Sequence, residues 1–180
     1  GCCIIGDEAR FVTRKVCESI SLGNVDFRAG ITDELSCSVL SSSQDKGACV
    51  FNDRSCRVTT NGNCLALRGV FHSKLLCTSS SLNTTCQKTD TTRCIEGKDE
   101  VYFLDSCGNL ANIYDSRNIN NQSYWNTLIS KENSCGYNLA NGNAGSANCG
   151  NCDRFSGSSC KNSGGKNICA DLSCPNAIDN

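Results

Sequence analysis

Cys149-Gly150-Asn151-Cys152-Asp153-Arg154-Phe155-Ser156-Gly157-Ser158-Ser159-Cys160 carries three cysteines and one large apolar side chain among small or polar residues. A segment of this kind has too little apolar surface to build a core, so its order must come from its sulfurs. Just before it, 137–151 is mostly Asn, Gly, Ala and Ser and reads as loop, with a tight turn at Asn141-Gly142. The whole chain repeats the pattern. Of 180 residues, 17 are cysteine, while hydrophobic residues including cysteine reach 38% and aromatics 6%. Ordinary domains do not approach that cysteine content. A disulfide that closes about 15 residues contributes about 3 kcal/mol in the chain-entropy picture, so a few bridges decide whether such a chain folds. The expected fold is a small disulfide-rich α+β structure, with short strands and about three short helices joined by long irregular loops.

The cysteines run from Cys2 to Cys174 without clustering and without a repeat period. The Ser/Thr-rich stretch 78–92 lacks a hydrophobic period and reads as an exposed connection between cysteine-rich halves at 1–77 and 93–180, unless the two halves form one continuous fold. Eight cysteines precede that connection and nine follow its start, so an odd thiol is expected downstream.

Helices are expected from Thr13 through Ile20, from Thr32 or Asp33 with Leu35, Val39 and Leu40 on one side, and from Asn121 or Ser123 carrying Trp125, Leu128 and Ile129. Strands are expected over 48–51, 56–60, 65–71 and 101–104, with a turn at Asn61-Gly62.

Catalytic signals are sparse. His72 is the single histidine and sits in Val70-Phe71-His72-Ser73, without a nucleophile elbow, so it reads as structural. Cys149 and Cys152 form a C-x-x-C, which in a thioredoxin-like site lies between a strand and a helix; the flanking residues here are loop-like, and a structural cystine is the better reading. Zinc on Cys149, Cys152, Cys160 and Cys169 or Cys174 would need a second close pair that is missing, and thiolates compete poorly with disulfides outside the cell. The acid pairs Asp7-Glu8, Asp33-Glu34 and Asp99-Glu100 lack calcium-loop spacing and read as solvated charge. Tyr124 and Trp125 are read as core rather than as a carbohydrate platform. No catalytic, metal or cofactor residue is therefore assigned, and the chain is not read as an enzyme.

A formal charge of −1, with acids and bases interspersed, gives no footprint for nucleic acid, and no apolar run is long enough to span a membrane. The lack of methionine reads Gly1 as a processed end, and the sequons at Asn83 and Asn121 are candidate glycosylation sites. Cysteine density places the protein outside the cell or on its surface. Gly1-Cys2-Cys3, Phe11-Val12-Thr13, Val25-Asp26-Phe27-Arg28 and Ser43-Gln44-Asp45-Lys46-Gly47-Ala48-Cys49 resemble large cysteine-rich proteins encoded by uncultivated, small-genomed archaea. So do Asp105-Ser106-Cys107-Gly108-Asn109, Asn112-Ile113-Tyr114-Asp115 and Cys149-Gly150-Asn151-Cys152-Asp153. That resemblance implies an exported surface protein and carries over no site residue. The expected function is a structural subunit of a surface filament or sheath that assembles with copies of itself. A secreted adhesin, ligand-binding or inhibitor module is the alternative, and a thiol oxidoreductase using Cys149 and Cys152 a weaker one. Cys2 and Cys3, at a terminus expected to be mobile, are the candidates for a bridge to a neighbouring chain.

Overall fold

The computed structural model of the chain describes residues 1–5, 8–21, 25–37, 40 and 45–172. Its elements are short antiparallel strands in four small sheets, three short α-helical stretches and eight disulfides, which is the expected disulfide-rich α+β class.

In the first sheet β1 (Cys2–Ile5) lies between β2 (Glu8–Phe11) and β3 (Asp26–Arg28). Successive side chains of a strand point to opposite faces, so neighbouring cysteines on β1 serve opposite sides. Cys3 bridges to Cys17 on α1 (Arg14–Ile20), and Cys2 bridges to Cys37 in a helical turn that includes 34–37. Thr13 caps α1 by accepting a bond from the Val16 N–H, and Asp33 caps the second turn by accepting one from the Ser36 N–H. Val39 of the expected second helix lies outside the described residues. The terminus is held as well: the Gly1 amine donates to the Val12 carbonyl at 3.1 Å and the Val12 N–H returns a bond to Gly1. Cys2 and Cys3 are thus fully buried in cystines within the chain, which corrects the expectation of a mobile end bridging to a neighbour.

The second sheet sets β4 (Lys46–Val50) between β5 (Cys56–Thr60) and β6 (Val70–Ser73). The expected turn at Asn61-Gly62 is instead the start of α2 (Asn61–Ala66), capped by Thr60 and fastened to β4 through Cys49–Cys64. The helix takes up the first part of the strand expected over 65–71. Close packing follows: a Cβ on Gly69 would lie 2.3 Å from the Cys49 sulfur.

In the third sheet β8 (Val101–Leu104) is central between β7 (Thr92–Cys94) and β9 (Leu110–Ile113). The fourth is the hairpin β10 (Ser158–Ser163) and β11 (Lys166–Asp171), turned by Gly164 and Gly165, both at positive φ as a tight two-residue loop requires. Cys94–Cys160 ties the hairpin to β7, and the Asn167 amide donates to the Thr92 carbonyl.

The main core gathers Leu76, Phe103, Ala111, Tyr124 and Trp125, with the Phe103 ring 4.9 Å from that of Trp125 and 5.1 Å from that of Tyr114, which packs against the cluster. The Trp125 indole N–H donates to the Ile119 carbonyl, and the Tyr124 hydroxyl to that of Ile113. The third expected helix shrinks to a 3-10 turn, Gln122–Trp125, capped by Asn121. It stops there because Asn126 and Leu128 exchange backbone bonds with Leu76 and Lys74, while the buried Asn112 amide takes the carbonyls of Tyr124 and Thr127. A continuing helix would need those same groups.

This core crosses the stretch 78–92, joining Leu76 and Val58 to residues 103–129. Thr78, Ser79 and Cys86 in that stretch are buried, and the Thr78 hydroxyl donates to the Trp125 carbonyl. The bridges break elsewhere: two close within residues 2–37 and six within 49–169.

Candidate functional site

A groove of about 620 Å³ lies where the outer edge of β5, the face of β8 and β9, and residues 128–131 meet. Its floor is apolar: Val58, Ala111, Ile113, Leu128 and Ile129. Strand alternation places Val101 and Phe103 in the interior and leaves Glu100 and Tyr102 on the groove side. Lys46, Lys98 and Lys131 stand along the rim, with the Lys98 ammonium 5.7 Å from the centre of the Tyr102 ring.

Glu100 is the one carboxylate lining this groove. Burial pushes its carboxyl up, but the Lys131 ammonium at 2.8 Å, its own backbone and the Tyr102 hydroxyl outweigh burial and hold it below the ordinary carboxylate value. Lys131 also donates to the Cys152 carbonyl, so the pair is fixed from both sides. The backbone around the groove is closed by two asparagines. Asn109 accepts from the Val58 N–H and donates to the Cys56 carbonyl, occupying the edge of β5. Asn112 accepts from the Ile129 N–H and donates to two carbonyls of the loop before it.

The residues singled out by sequence are dispersed. Cys149 and Cys152 do not pair with each other: Cys149 joins Cys135 and Cys152 joins Cys169. They form no dithiol couple, and with Cys160 bound to Cys94 the candidate zinc set is committed to bridges, apart from Cys174, which lies outside the described residues. Cys77, Cys86 and Asp105 do approach one another within 4.8 Å, but both sulfurs belong to cystines and offer no thiolate. Burial raises the Asp105 carboxyl above its ordinary value, against bonds from the Asn109 side chain and from the N–H groups of Asn109 and Cys107.

His72 is half-buried on β6 opposite Ala48. Trp125 is core, as expected. Asp99 pairs with Arg154 at 3.2 Å, and Asp7 and the Glu8 side chain lie outside the described residues. Asn83 is exposed with φ +50°, whereas the Asn121 side chain, also exposed, is engaged with the Ser123 N–H and the Asn118 carbonyl oxygen of its amide. Sequence reading missed the groove, since its lining residues come from five separated segments and share no motif. Lys98 and Tyr102, four apart around the Asp99-Glu100 pair, are the nearest thing to a signal.

Compared with known proteins, the chain matches no family model, no curated protein and no solved structure.

Proposed function

We propose that this chain is an extracellular structural protein, a disulfide-built subunit that joins copies of itself in a surface filament or sheath. The parity of its cysteines carries this reading. Eight bridges use sixteen cysteines, so any bridge made by Cys174 leads out of these 180 residues. Two apolar surfaces support it further. Leu65, Leu67 and Val70 are exposed around α2 and the edge strand β6, and Phe155, 90% exposed, sits on the 3-10 turn Arg154–Ser156. Unlike apolar groups in separate parts of the fold, one by the second sheet and one on the turn before β10, suit a head-to-tail contact that does not close. Native protein run without reductant should give a covalent dimer that Cys174→Ser abolishes, and light scattering should show larger association that Val70→Asp weakens. A strictly monomeric wild-type chain at all concentrations would sink the reading.

The groove supports a second reading, a secreted ligand-binding module, because an apolar floor with a few polar groups at its rim is the usual form of a small-molecule site.

A further inference from the structure

We infer that the groove between the second and third sheets binds a small amphipathic carboxylate, its apolar body on the Val58–Ala111–Leu128–Ile129 floor and its anionic head at Lys98. This inference rests on the binding-module reading and is independent of self-assembly.

Charge selects the head group. Glu100, the single carboxylate lining the groove, is already held by Lys131 at 2.8 Å and by the Tyr102 hydroxyl at 3.1 Å, which leaves Lys98 on the rim facing no acid of the groove. Among the described residues the Lys98 ammonium has the Tyr102 ring, and no carboxylate, as its ion partner. A cation stacked on an aromatic wall beside an apolar floor favours a ligand that carries both an anion and hydrocarbon.

The backbone selects against an extended peptide. Strand addition needs a free ladder at a sheet edge. Here Asn109 already occupies the outward groups of Cys56 and Val58, Asn112 takes the Ile129 N–H, and the Leu128 N–H is bonded to Lys74. What remains for recognition is apolar contact and charge. A volume of about 620 Å³ falls within the usual range for small-ligand sites, roughly 300 to 1,000 Å³. The wall is also preorganised, since Cys56–Cys77 and Cys86–Cys107 pin the segments on either side of Asn109.

The test is titration of the whole ¹⁵N-labelled chain with octanoate and, separately, with octanol. Octanoate should saturate at one site, with amide shifts centred on Tyr102, Ala111, Leu128 and Ile129, and should bind more tightly than octanol. Lys98→Gln should weaken octanoate about five-fold, the scale of a partly exposed ion pair, and leave octanol unchanged. Lys98→Arg should restore the preference, and Lys161→Gln on the hairpin should alter neither ligand. Equal binding of octanol and octanoate would overturn the carboxylate assignment while leaving a binding groove. Failure of both to saturate would overturn the assignment together with the binding-module reading.

Discussion

Residues 1–40 and 45–172 carry bridges at about the same density, two against six, yet they bury very different amounts of hydrocarbon. Around the first pair Ile4 is, among the described residues, the only buried apolar side chain other than cysteine, with Ala9, Ile31 and Leu40 partly covering it. The second region encloses Trp125, Phe103, Leu76 and Val101 in addition to its cystines. Folding must offset about 1 to 2 kcal/mol of backbone entropy per ordered residue. Where hydrocarbon is scarce, cross-links that restrict the unfolded chain supply the margin. Where an aromatic cluster exists, cross-links add to a core that already holds.

The comparison breaks most sharply at Cys2–Cys37. Replacing both by serine removes a bridge spanning 35 residues, at a cost of about 4 kcal/mol in the chain-entropy account. Hydrogen exchange should then show β1, β2 and β3 unprotected while β4 to β11 stay protected. Loss of protection throughout would mean that the two regions fold as one.

Trp125→Ala attacks the other side. A buried tryptophan truncated to alanine costs about 3 to 5 kcal/mol. The second region should lose its denaturant midpoint accordingly, with the cystines of the first still resistant to reduction.

Asn112→Ala sharpens the picture, because it removes no hydrocarbon of consequence. It strands the carbonyls of Tyr124 and Thr127 and the Ile129 N–H. About 3 kcal/mol should be lost, with shifts spreading to the groove floor at Leu128 and Ile129.

Acid produces the smallest effect. Glu100 and Asp115 are both held below their ordinary values of 4.5 and 3.8, despite burial, by Lys131 and Arg117 respectively. A carboxyl whose folded pKa is depressed contributes stability above its unfolded value and loses it as the pH falls through the folded one. Asp105, raised by burial, works in the opposite sense and offsets part of the loss. Measured by chemical denaturation, the stability of the second region should therefore fall below about pH 4.5, and Glu100→Gln should flatten that dependence.

Much of this arrangement was legible in the chain. Thr13 marked α1, the alternating Cys56–Thr60 run marked β5, and Val101–Leu104 marked β8. Other elements were hidden because their order is tertiary. β10 and β11 are largely polar strands held by Cys160 and Cys169, and no strand was expected there because they lack an apolar alternation. The end of the helix at Trp125 depends on Asn112, thirteen residues upstream, and on Lys74, fifty-one residues upstream. Stretch 78–92 looked like a linker because Ser and Thr conceal the buried hydroxyl that reaches Trp125. The groove was the least legible feature, being assembled from strand edges that no local pattern relates.

The adjacent sulfurs of β1 carry one more consequence. A slip of that strand by a single position would turn Cys3 toward the side that holds Cys37 and Cys2 toward α1, so neither native bond could close without crossing the sheet. Oxidation therefore reads the alignment of the strand before it becomes permanent. The doublet acts as a two-toothed key, and only the correctly seated sheet can be locked by it.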